Sequence, residues 1–110
     1  MLETRLYLAQ RLSAVIIAPL VMIHLGVMIY AIQGGLDTGE ILGRTSGSLL
    51  WALNYGLFAI AVAIHAAIGL RNIFREWLKL RGVALNLAAL LVFAVLLAMG
   101  LHAVYAVVAA

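Results

Sequence analysis

"LLWALNYGLFAIAVAIHAAIGL", residues 49–70, contains no charged residue, and the next residue is Arg71. A run of this length meets the ~20 residues needed to cross ~30 Å of hydrocarbon. In lipid such a run must be a helix, because an unpaired backbone N–H or C=O there costs several kcal/mol. Two more uncharged runs flank it, at about Leu12–Ile32 and Ala84–Val108. The expected architecture is therefore an all-α membrane protein with three transmembrane helices, spans 12–32, 49–70 and 84–108, forming one domain over residues 1–110. Composition agrees. Of 110 residues 67% are hydrophobic and 10% charged, against roughly 25% charged in soluble domains. The first run is too long and too polar at its start for a signal peptide, and it lacks a small-residue cleavage site.

The positions of the seven Lys and Arg residues set the expected orientation. Arg5 and Arg11 precede span one; Arg71, Arg75, Lys79 and Arg81 lie between spans two and three; Arg44 alone lies in the other connection. The positive-inside rule then puts the N-terminus in the cytoplasm and the C-terminus outside, in the periplasm of a bacterium. The connection "QGGLDTGEILGRTSGS" reads as a loop, with a short interfacial helix expected around Thr38–Leu42. Span two is expected to run on as a helix into the headgroup layer, with Gly82 ending it. Pro19 should kink span one modestly. Gly26, Gly56 and Gly100 suggest close helix contacts, and Asn54, Tyr55 and Asn86 are placed to bond neighbouring helices.

There are no cysteines, which excludes disulfides and thiolate-ligated zinc or iron–sulfur centres within this chain. No Asp, Glu, Lys or Arg lies mid-span, which counts against ion translocation by carboxylates. Nothing in the sequence suggests a nucleic-acid partner. The chemistry-bearing residues are three histidines, one per span: His24, His65 and His102. Counted at 1.5 Å per residue from the cytoplasmic side, they lie roughly 18, 8 and 27 Å deep. Intramembrane polar residues usually face a bundle interior and mark function, although a neutral ring bonded to a neighbouring helix is the plainer reading, above all for His102.

His65 stands out by its neighbours. Gly69 lies one turn on, on the same face, Ala66 and Ala67 keep the helix slim, and Arg71 follows at headgroup level. A flat macrocycle against a helix needs such a surface: a ring nitrogen for the iron, no Cβ at its edge, and a cation for a carboxylate. Helix packing through Gly69 explains the same residues equally well. Haem held by two histidines needs both rings at one depth. His24 and His65 differ by roughly 10 Å, so His65 requires a ligand from another chain. His24 would serve a second haem, with outside help or with His102.

The stretch "HAAIGLRNIFREW", residues 65–77, together with "QRLSA" at 10–14, resembles the membrane-anchor subunits of succinate dehydrogenase and fumarate reductase. The resemblance covers most of the chain: three spans, a basic start and a basic inner loop. His65, Gly69, Arg71, Glu76 and Trp77 fit the family pattern. It implies a haem b- and quinone-binding anchor of a succinate:quinone oxidoreductase in the bacterial inner membrane. Such an anchor passes electrons between the iron–sulfur clusters of a peripheral subunit and membrane quinone, without itself catalysing dicarboxylate chemistry. The implied partners are a flavoprotein subunit, an iron–sulfur subunit and a second membrane-anchor subunit, which together with this chain form a larger helix bundle. The implied cofactors are one haem b, or two, and ubiquinone or menaquinone. His65 would ligate haem iron and His24 a second haem. Gly69 and Arg71 would line the haem, and Arg11, Ser13, Glu76 and Trp77 would sit around the quinone, with Arg11 and Ser13 level with Arg71 and Trp77. Trp77 stands where the family places a tyrosine; an indole N–H donates a hydrogen bond but cannot deliver a proton as a phenol does. The alternatives are a haem-free three-span anchor and a small membrane assembly or transport protein.

Overall fold

The computed structural model describes residues 1–109. Among them four helices occur in chain order: α1 (Leu2–Gln33), α2 (Thr38–Thr45), α3 (Leu49–Trp77) and α4 (Gly82–Val108). The long helices α1, α3 and α4 are the three segments long and apolar enough to cross a membrane. They lie side by side in a bundle of 48 × 23 × 23 Å, with α3 in the middle, against α1 on one side and α4 on the other.

The buried set is small: Ala31, Ala61, Ala63, Ala67, Ile68 and Leu85 among apolar residues, with Ser13, Thr45 and Arg71 among polar ones. Large side chains such as Leu12, Val15, Leu50, Leu53, Leu91 and Met99 are exposed. Water would penalise that surface, whereas lipid tails are as apolar as leucine. Helices in lipid associate through small residues that let backbones approach. The alanines of α3 supply that surface. At Gly100 the approach is close, since a Cβ there would lie 2.9 Å from the Cβ of Ala59.

The ends are capped by backbone and short polar groups. At the end of α1, Gly35 N–H donates to Ile32 O (3.1 Å) and Leu36 N–H to Ala31 O (3.0 Å). This Schellman pattern needs the positive φ of +95° that Gly35 adopts. Asp37 caps α2 by accepting from Gly39 N–H, and Ser48 caps α3 by accepting from Trp51 N–H. Thr45 Oγ donates to Val107 O at 2.8 Å and Gly47 N–H to Val108 O at 2.8 Å, which tie α2 to the last turn of α4.

Helix α1 begins at Leu2 and contains the uncharged run, and its polar first turns find partners on α3. Two expectations change. The short helix expected at Thr38–Leu42 runs on to Thr45. Gly82 does not end α3. That helix stops at Trp77, and Lys79 makes the turn at φ +60°, while Gly82, at φ +62°, opens α4. The conformational freedom of this glycine serves the start of the next helix. Helix α1 continues unbroken across Pro19.

Candidate functional site

His65 lies where α3 crosses α1, half-buried. Its Nδ1 is 3.2 Å from the carbonyl oxygen of Gln10 and 3.3 Å from Ser13 Oγ. Ser13, buried, already donates its hydroxyl to Gln10 O at 2.8 Å. Both atoms facing Nδ1 therefore act as acceptors: the carbonyl oxygen has no proton to give, and the hydroxyl proton is committed. Nδ1 carries the hydrogen, and in a neutral ring Nε2 then bears the lone pair. Among the described residues nothing hydrogen-bonds Nε2. This is how a metal-ligating histidine is usually held, with one ring N–H on a backbone carbonyl and the other nitrogen free to coordinate. No group of three His, Asp or Glu side chains converges anywhere among the described residues. His65 therefore has no second metal-ligating side chain of this chain beside it.

Gly69 faces the same neighbour. A Cβ there would meet Gln10 Nε2 at 3.5 Å, an ordinary contact, so within this chain alone Gly69 is not forced to be glycine.

Toward the N-terminal end of α1, Arg71 is buried, with 6% of its surface exposed. Its NH2 donates to Glu3 Oε1 (3.1 Å) and its NH1 to Glu3 Oε2 (3.4 Å). Its Nε and NH2 donate to Asn86 Oδ1 at 3.2 Å. Arg75 NH1 also donates to Glu3 Oε2, at 3.0 Å. One guanidinium on α3 thereby links α1 to α4. Asn86 reaches a neighbouring helix, as its sequence position suggested. Glu3 and Gln10 escaped the sequence reading. Glu3 is the only acidic residue before Asp37, and that isolation beside a cationic loop was the available signal. For Gln10 there was none, since it is the backbone carbonyl that acts.

The antiparallel register revises the expected level of the quinone residues. Ser13 is opposite His65, and Glu3 is opposite Arg71 and Arg75. Trp77 lies twelve residues beyond His65, so it is roughly 15 Å along the axis from Arg11. Arg11 and Ser13 are therefore not level with Arg71 and Trp77. The expected level was counted from the edges of uncharged runs, whereas side-chain pairing between α1 and α3 sets the actual one. The structure joins Ser13 to His65 and leaves Arg11, Glu76 and Trp77 apart. Arg11 is exposed and stacks over the Tyr7 ring at 5.9 Å. Glu76 is exposed, and Trp77 is 78% exposed.

His24 occupies the other half of the bundle. Its ring lies 5.2 Å from Phe58 and 6.3 Å, edge-on, from Tyr55. Tyr55 and Phe58 precede His65 by ten and seven residues, so the two histidines are separated by roughly 10–15 Å along the bundle and cannot share one iron. His24 lines a cavity of about 410 Å³ with Thr45, Tyr55, Phe58 and Gly100. His102 is exposed on α4 and does not line that cavity, so the structure does not bring it to His24.

Among known proteins, the family model described as succinate dehydrogenase/fumarate reductase transmembrane subunit matches residues 1–103. No curated protein and no solved structure shows a significant match to the chain.

Proposed function

The chain belongs to the succinate dehydrogenase/fumarate reductase transmembrane subunit family, and from that premise we propose that it is a haem b- and quinone-binding anchor of the complex. The observation that carries this reading is the state of His65, with its Nδ1–H held by Gln10 O and Ser13 while Nε2 is left without a partner. A ring serving only to pack two helices would gain by bonding through both nitrogens, since an unmade hydrogen bond in an apolar setting is costly.

In this reading His65 would hold the haem iron through Nε2, together with a residue of a companion anchor. When bound, the haem supplies a one-electron carrier between the peripheral iron–sulfur clusters and quinone. Gln10 and Ser13 fix the tautomer and the ring plane, so that the ligand lone pair is aimed before iron arrives. Arg71, clamped by Glu3 and Asn86, holds a positive charge two turns from His65 on the N-terminal side, the side proposed as cytoplasmic. Its guanidinium is occupied by Glu3 and Asn86, which keeps α1 and α4 at their spacing, and a propionate would have to compete with Glu3 for it. Gly69 leaves room for a flat ring edge. Arg11 lies close to the level of His65 on the exposed face of α1, where its guanidinium can donate to a quinone carbonyl as charge builds on the oxygen. Glu76 and Trp77, further toward the aqueous side, suit contact with the peripheral subunits and the quinone entrance. His24, further along the bundle, would hold a second haem with a ligand from the companion chain.

The test is the reduced-minus-oxidised spectrum and haem content of the purified complex. His65→Ala should remove one b-type haem while the chain still inserts and assembles. Gly69→Ala should leave folding unchanged, because a Cβ there meets only ordinary contact, yet perturb the haem spectrum. Full haem content in His65→Ala would overturn the assignment and leave the haem-free anchor.

A further inference from the structure

Of the four tyrosines, only Tyr7 lies at the end of the bundle where α1 begins; Tyr30, Tyr55 and Tyr105 lie toward the other end. Tyr7 is 60% exposed. The Arg11 guanidinium, one helical turn on, lies 5.9 Å from the centre of its ring. Tyr7 also borders a notch between α1 and α3, whose polar wall is Glu3, Gln10, Asn72 and Arg75. The notch has a volume of about 190 Å³, room for several waters at about 30 Å³ each. Among the described residues, the side-chain polar atoms of Tyr7, Gln10 and Asn72 have no hydrogen-bond partner. A phenol hydroxyl and two amides gathered in one recess are groups that water satisfies. From Glu3 to Gln10 the notch follows seven residues of α1, about 10 Å. It therefore leads from the start of α1 to the level of His65, whose Nδ1 meets the Gln10 carbonyl.

We propose that Tyr7 is the proton donor to a quinone carbonyl oxygen, and that the notch returns its proton from the aqueous phase. The inference rests on the quinone role proposed for Arg11. Reduction of a quinone to a quinol takes two electrons, from the reduced iron–sulfur clusters of a peripheral subunit, and two protons; each C=O becomes C–OH. Arg11 donates a hydrogen bond to one carbonyl oxygen but keeps its protons, because a guanidinium is not deprotonated in proteins. An oxygen held by Arg11 is brought beside the Tyr7 ring. The phenol O–H bond breaks and its proton passes to that oxygen. The phenolate regains a proton through the waters of the notch, which draw it from the aqueous phase beyond Glu3. The other carbonyl oxygen takes its proton from water at the membrane surface. Trp77 cannot replace Tyr7: its indole N–H does not deliver a proton, and it stands roughly 15 Å from Arg11.

The purified complex containing this chain tests it. Tyr7→Phe keeps the ring beneath Arg11 and removes only the hydroxyl. At saturating quinone, quinol formation should slow about 100-fold, the low end for a general acid, with KM little changed. Succinate oxidation with a soluble acceptor and the haem spectrum should stay as in the parent. Gln10→Leu and Asn72→Leu leave the Gln10 carbonyl on His65, and each should enlarge the ratio of rates in H2O and D2O. Asn72→Cys places the only thiol of this chain in the notch, where a charged, membrane-impermeant thiol reagent should add its mass to the chain. An unchanged rate in Tyr7→Phe, a rise in KM alone, or no labelling of Asn72→Cys would overturn the proposal. If Arg11→Ala impairs quinone reduction and Tyr7→Phe does not, only the proton donor falls; if neither does, the quinone reading falls with it.

Discussion

Gly100→Ala is the substitution whose cost the structure sets most tightly. A Cβ at residue 100 would lie 2.9 Å from the Cβ of Ala59 and 3.7 Å from its Cα. Ordinary carbon–carbon contact is about 3.5–4.0 Å, so α3 and α4 must part by roughly 0.6–1 Å. No flexible side chain can yield, because both atoms are fixed to helix backbone. Overpacking of this kind costs about 1–3 kcal/mol, and a rigid contact belongs in the upper half of that range. Alanine returns up to about 1 kcal/mol through its better helix propensity. The net expectation is about 1–2 kcal/mol of destabilisation, read as a lowered midpoint in denaturing-detergent unfolding followed by circular dichroism. Ala59→Gly alone should cost about 1 kcal/mol by propensity. The double variant Ala59→Gly/Gly100→Ala moves the single Cβ across the contact and should return close to the stability of the parent. The coupling between the two sites should then reach about 2 kcal/mol. If the two effects simply add, within the ~0.5 kcal/mol seen for independent sites, the close approach of the helices is wrong. Both residues also line the cavity beside His24, so Gly100→Ala should alter whatever occupies it.

Other outcomes follow from the polar contacts. Ser13→Ala removes one of the two acceptors on His65 Nδ1 and leaves the Gln10 carbonyl; haem should stay bound with a shifted midpoint potential, and an unaltered potential would argue against Ser13 as a positioning residue. Arg11→Ala should lower electron transfer to quinone more than succinate oxidation with a soluble artificial acceptor, whereas equal losses in both assays would remove Arg11 from the quinone site. Thr45→Val deletes a buried hydroxyl that donates to Val107 O; about 1–2 kcal/mol should be lost, and hydrogen exchange should speed up at the end of α4, a change whose absence would disconnect α2 from that helix.

Sequence alone determined the number of long apolar helices and the stretches they contain. A membrane leaves an uncharged run of this length only one backbone solution, so residues 12–32, 49–70 and 84–108 all fall within helices of the structure. His65 was singled out from its own helix, because Gly69 follows it on the same face and Arg71 lies just beyond, and the family resemblance rested on that same stretch. The partners of these residues were not legible. Which atom faces Nδ1 of His65 depends on the register between α1 and α3, and register is a relation between helices far apart in sequence. The same holds for Glu3 bonding Arg71, for Ala59 beneath Gly100, and for the distance between Arg11 and Trp77. In lipid the apolar pattern specifies that a helix is inserted but scarcely which face meets which neighbour, since tails and leucines are equally apolar. Only the assembled bundle, through its few polar contacts and its small residues, makes that choice.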